Sequence, residues 1–207
     1  MTVERGRSWG ERRPRPPDLV EVADDAAAGA LINQLRAAGQ PLPPIGLRAG
    51  DLRRTLGGDG GGRVRAPLDG PELGCYPVDL GVAVFGGRPR WFLSHLVARR
   101  SWWWGEVVAV MNAELIGPWD VAPRSHPNDG RLDVVRTSDL GLGDRWKARR
   151  RLRTGTHTPH PRITTARADE LELAFAHPLT IRLDGVKVGR ATELHVHVEP
   201  DALVVCI

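Results

Sequence analysis

The segment Asn128-Asp129-Gly130-Arg131-Leu132-Asp133 sets two carboxylates and an amide around one glycine, just ahead of the apolar run Leu132 to Val135. An asparagine or aspartate side chain can bond local backbone there while the glycine takes a positive φ, so these residues specify a turn feeding a strand. His157, His160, His177, His195 and His197 are candidate zinc ligands by type, but their spacing fits no standard zinc site. His195 and His197 alternate with valines and therefore share one strand face, expected to be the exposed one. Five glycines surround Asp59 with no strand before them, which suits a flexible connector better than a phosphate loop. Trp102, Trp103 and Trp104 could stack on bases or lie at a membrane interface. The favoured reading places them in a strand, with alternate rings entering the core.

The elements that must hold these residues follow from the pattern. Residues 1–17 are rich in arginine and proline without hydrophobic period and read as a flexible arm. A strand over 18–23, a helix over 24–39 stopped by Gly39, a short extended piece ending in Ile45-Gly46-Leu47 and a short helix over 50–58 give a parallel βαβ fragment. A glycine-rich linker, 59–72, separates it from short apolar runs and turns over 73–207, the pattern of an antiparallel sandwich. Two hairpins are expected there, one around Gly86-Gly87 and one turning at Glu199 to Asp201. A single helix is expected near 142–155. Its stretch 145–153 holds six basic residues and either rests on anionic lipid or is a solvated helix docking through Trp146 and Leu152.

The chain has 207 residues, enough for one domain or slightly more, and a formal net charge of only +4. That small excess makes nucleic acid an unlikely partner, and no apolar run is long enough to span a bilayer. The N-terminus lacks the apolar core of a secretory signal, so Cys75 and Cys206 are expected as free, buried thiols in a reducing cytoplasm.

Three ordered motifs carry a resemblance: Ala122-Pro123 followed by Asp129-Gly130-Arg131-Leu132-Asp133-Val134, then Gly155 and His157 ahead of a proline, then Asp184-Gly185 before the final strands. Together they resemble the C-terminal domain of the diacylglycerol kinase and bacterial lipid kinase family, related in fold to the NAD kinases. The likeness runs from about Tyr76 to the end. It implies an α+β protein, an antiparallel β-sandwich with a small α/β remnant at its N-terminus. The remnant resembles the family's nucleotide lobe without that lobe's first strand, helix, strand, helix portion, since only the arm precedes Asp18. Asp25 falls on the aspartate of the family's GGDGT loop, with Ala23, Asp24, Ala26 and Ala27 where that loop has glycines and threonine. Gly50, Asp51 and Arg54 look like the GTGND loop and its following helix, one residue short.

The resemblance implies ATP and Mg2+ as cofactors if the protein is active, organised by Asp25, Gly50, Asp51 and Arg54, and otherwise no cofactor. Asp184 would be the general base toward a lipid or other hydroxyl-bearing acceptor, although Val186 stands where the family has glutamate. Asp129 and Asp133 match a loop that holds a structural magnesium in some bacterial members, against the plain turn derived above. Phosphate loops use glycine because backbone N–H groups must approach the phosphates closely, often at positive φ. Asp24 also adds a charge where a triphosphate would sit, costing about 3 kcal/mol at ~5 Å and an effective dielectric of ~20. The expectation is therefore a degenerate, non-catalytic binding or regulatory relative, with an active lipid kinase as the alternative and nucleic-acid binding third. A second copy or a partner could complete the lobe, and contact with the inner membrane surface would be peripheral.

Overall fold

The computed structural model describes residues 9–58, 68–137, 140–158 and 160–207. Strand β1 (Glu11–Pro14) pairs antiparallel with residues 72–75, and Trp9 donates its indole N–H to the Pro77 carbonyl at 2.9 Å. The expected arm is therefore docked over 9–14, because an apolar Trp9 precedes a strand whose backbone finds an open edge.

The βαβ fragment forms as β2 (Val20–Val22), α1 (Asp25–Ala37), β3 (Ile45–Leu47) and α2 (Asp51–Thr55). Asp24 caps α1 by accepting from the Ala27 N–H at 3.0 Å, and β2 and β3 run parallel. Gly39, at φ +64°, follows the helix end. The predicted linker lies outside the described residues over 59–67; beyond it Leu68 is fully buried.

Strands β4 (Glu72–Phe85) and β5 (Arg88–Phe92) form the hairpin expected at Gly86-Gly87, both glycines at positive φ. Then come β6 (His95–Arg99), β7 (Val107–Met111), the small hairpin β8 (Leu115–Ile116) and β9 (Trp119–Asp120), and β10 (Leu132–Thr137). Helix α3 (Leu142–Arg151) runs into a 3-10 turn at Leu152–Thr154, and β11 (Ile163–Ala168), β12 (Glu170–Leu183) and β13 (Val186–Cys206) complete the chain.

Among the described residues one sheet runs β1-β4-β13-β12-β6-β7-β10-β11, with β5 on β4, β3 on β13 and β2 on β3. Ala83 and Phe92 share a buried cluster with Val108, Val110 and Leu132 from strands far along that order, so the sheet closes over itself into a sandwich. A second cluster joins Ala28 and Ile32 of α1 and Ile45 of β3 to Val78, Leu80 and Val205. The fragment is thus an extension of the sandwich sheet through the parallel β3–β13 pairing. A third cluster sits on the outer face of β6, β7 and β10 beneath Ala148 and Leu152.

Three expectations are corrected here. The segment around Glu199 to Asp201 is no hairpin turn; β13 continues through it with a bulge between Glu199 and Leu203, Asp201 at φ +51°. Cys75 and Cys206 sit opposite one another on β4 and β13 with Cα atoms 4.1 Å apart and form a disulfide, so they are not free thiols. Their separation of 131 residues hid that pairing from the sequence. Finally, residues 102–104 lie in a loop rather than a strand, with the three indoles exposed and none of them among the residues of the third cluster. No helix among the described residues is long and apolar enough to cross a membrane.

Candidate functional site

Asp25, Asp51 and Asp184 are brought together in one cleft of about 660 Å3, which Gly50, Arg54, His95 and Gly117 also line. Helix α1 delivers Asp25 on its first turn, α2 delivers Asp51, and the β12–β13 turn delivers Asp184 in the left-handed region at φ +47°. Aspartate tolerates that conformation better than most residues.

Each carboxylate is already engaged. Asp25 Oδ2 accepts from the Asp51 and Leu52 N–H groups at 2.6 and 3.3 Å, so it satisfies the N-terminus of α2. Gly50 permits this: at φ +123°, a Cβ there would lie 2.2 Å from Asp25 Oδ1. Asp51 accepts from the Gly117 N–H at 2.9 and 3.0 Å, and Arg54 lies 3.4 Å from it while donating to the Gly117 carbonyl. Asp184 accepts from three successive backbone N–H groups: Oδ2 from Leu93 at 2.8 Å, Oδ1 from Ser94 at 2.8 Å and from His95 at 3.1 Å. In return the Asp184 N–H donates to the His95 carbonyl at 2.9 Å.

Burial sets the electrostatics. Removal from water pushes the Asp25 carboxyl up to about 8, and the nearby Asp184 charge adds to it. At neutral pH Asp25 is therefore mostly protonated. Burial also raises Asp184, opposed by His95 and by the three N–H donors. Buried His95 presents Nδ1 3.9 Å from Asp51 Oδ2. Val186, where the resembling family has glutamate, is 48% exposed and supplies no second acid.

Asp129 and Asp133 are not in this cleft. Arg167 ion-pairs with both, at 3.2 Å to Asp133, and no group of three or more metal-ligating side chains occurs among the described residues. The turn itself is held by Asp79, which sequence reasoning missed. Asp79 Oδ2 accepts from the Gly130 N–H at 2.8 Å, and Oδ1 from Asp201 N–H in the β13 bulge at 2.9 Å. Asn128 also donates to Asp201 at 2.9 Å. A carboxylate within the apolar stretch Val78 to Val82 was the available signal, since a buried charge needs partners. Gly29, the other missed residue, lets α1 approach Asp184; a Cβ there would meet Asp184 Oδ2 at 3.0 Å. A larger cavity, about 920 Å3, lies between the 121–124 and 155–161 loops and β10–β11 and contains none of the three clustered aspartates.

A closed antiparallel sandwich extended by a parallel strand-helix unit, with three aspartates at their junction, defines a protein of the NAD-kinase-like sandwich class. Residues 60–207 match the YegS C-terminal NAD kinase beta sandwich-like domain, and the chain belongs to that family. The solved structures with this fold include two from Bacillus anthracis strain Sterne provisionally designated a diacylglycerol kinase, each 14% identical with a TM-score of 0.66. Both comparisons cover 91% of this chain and 77% of the other. A third, described as a diacylglycerol kinase of the same strain, is 15% identical with a TM-score of 0.62, covering 91% and 75%. At such identity the likeness is one of fold. No curated protein matches the chain.

Proposed function

We infer that this protein is a non-catalytic member of the lipid-kinase-like fold, one that holds a hydroxyl-bearing lipid or similar small ligand without phosphorylating it. The observation carrying this reading is that the chain's own carboxylates take N–H groups at the start of both helices beside the cleft. Asp24 takes the Ala27 N–H at the start of α1, and Asp25 takes both Asp51 and Leu52 N–H groups at the start of α2. Helix N-termini bind phosphate through such groups, so these three donors are withdrawn from a nucleotide. Burial raises the Asp25 carboxyl to about 8, and in its protonated form it is a poor ligand for Mg2+.

Asp184 fits a structural role better than that of a base. Its carboxylate is buried and takes three backbone donors, which fix the β12–β13 turn against residues 93–95. Calorimetric titration of the full chain with Mg–ATP, beside Asp25→Asn, tests the reading. No saturable heat at several temperatures is expected from protein shown to be folded. Saturable binding tighter than millimolar and weakened by Asp25→Asn would establish nucleotide binding and reinstate the active-kinase reading.

A further inference from the structure

Trp102, Trp103 and Trp104 are 40, 40 and 62% exposed, and Trp146 and Leu142 on α3 are 55 and 54% exposed. Large apolar side chains concentrated this way mark an interaction surface. The loop is also built into place: buried Arg145 donates to the carbonyls of Leu140 at 2.9 Å, Trp102 at 3.2 Å and Gly105, fastening both ends of the tryptophan run to α3. Arginines lie over the rings, Arg99 at 4.2 Å from Trp102, Arg149 at 5.6 Å from Trp103 and Arg150 at 4.8 Å from Trp146. Helix α3 ends in Arg149, Arg150 and Arg151, and its one acidic residue, Asp144, is matched by Lys147 at 3.7 Å.

We propose that this tryptophan-arginine face docks on an anionic lipid bilayer surface. Indoles and Leu142 suit the headgroup boundary while the guanidinium groups meet lipid phosphates. An oligonucleotide would use the cations but needs free ring faces, and one face each of Trp102, Trp103 and Trp146 is covered by an arginine. Position strengthens the case. Trp119 of β9 packs edge-on to Trp102 at 5.8 Å, while Gly117 of the same small hairpin binds Asp51. The face therefore adjoins the cleft, and bilayer docking would bring that cleft beside membrane-borne hydroxyl lipids.

The proposal does not depend on the nucleotide question, because vesicle binding is measured without ATP. The full chain would be co-sedimented with phosphatidylcholine vesicles and with vesicles containing about 30% phosphatidylglycerol, with tryptophan emission followed in parallel. Expected are at least tenfold tighter binding to the anionic vesicles, a blue shift on binding, and weakening by added salt. Arg149→Glu/Arg150→Glu should lower affinity by more than tenfold, at about fivefold for each lost cation. Trp104→Ala, at the most exposed ring, should reduce the blue shift and binding without changing the melting temperature. Failure to bind anionic vesicles overturns the proposal. So does binding that both variants leave unchanged, or binding of single-stranded oligonucleotide with vesicles left free.

Discussion

The acidic cleft and the tryptophan-arginine face meet at the β8–β9 hairpin, yet they treat their polar groups in opposite ways. In the cleft, Asp25, Asp51 and Asp184 turn inward and accept backbone N–H groups, so charge is consumed in holding α1, α2 and the β5–β6 junction together. On the face, Arg145 alone is buried for construction, while Arg149 and Arg150 remain outside with the indoles. The three cleft aspartates thus act as structural fasteners between elements distant in sequence. A stretch with no counterpart in the expected catalytic motifs carries the surface chemistry.

Substitution should separate the two regions most sharply at Asp184. Asp184→Ala leaves three buried N–H groups without acceptors, each costing about 1–3 kcal/mol, against a total stability of about 5–15 kcal/mol for a domain. Urea denaturation should show loss of most of the stability, and aggregation during expression is an expected sign. Asp184→Asn keeps one acceptor oxygen and tolerates the left-handed backbone, so an intermediate loss is expected. If Asp184→Ala instead folds with normal stability, the fastening account of the cleft fails. By contrast, Arg149→Glu/Arg150→Glu should change stability by less than about 1 kcal/mol, since both side chains are exposed.

Sequence patterning gave the βαβ fragment, the Gly86-Gly87 hairpin and α3 because each is specified locally by caps, periodicity and turn glycines. The motif alignment also selected Asp25, Asp51 and Asp184, which the fold gathers into one cleft. What stayed hidden depends on distant partners. Nothing near Asp184 in sequence announces the N–H groups of residues 93–95. Likewise the bulge at Asp201 exists because Asp79, 122 positions away, accepts its N–H, so a local reading of the turn-like residues produced a hairpin. The tryptophans lie outside the expected strand because the residues that fasten their loop, Arg145 and its carbonyl partners Trp102 and Gly105, are 43 and 40 positions apart.

A pH series distinguishes the regions with a smaller effect. Asp25 has its folded pKa raised to about 8, chiefly by burial, so the folded state holds a proton that the unfolded chain releases in the ordinary carboxylate range. Its contribution is fully present below that ordinary range and is lost as pH rises through about 8. Asp184 shifts in the same direction. The melting temperature should therefore fall from about pH 6 to about pH 9, and Asp25→Asn, neutral throughout, should flatten the decline. An equally steep decline in the variant would assign the pH response elsewhere.

The smallest expected effect lies in the turn over 126–133, which is stabilised by charge without being a cleft or an open face. Arg167 there is half-exposed and pairs with Asp129 and Asp133, so Arg167→Gln should cost less than about 1 kcal/mol in urea denaturation. Burial already raises the Asp133 pKa despite that arginine, and removing the cation leaves two neighbouring carboxylates to repel one another. A divalent cation then has a vacated place to occupy. Millimolar Mg2+ that raises the melting temperature of Arg167→Gln but not of the parent would mean that Arg167 stands in for the metal expected from the aspartate pattern. No response in either protein would leave the two aspartates as turn residues, held by Arg167 and by the backbone bonds of Asp79 and Asp129.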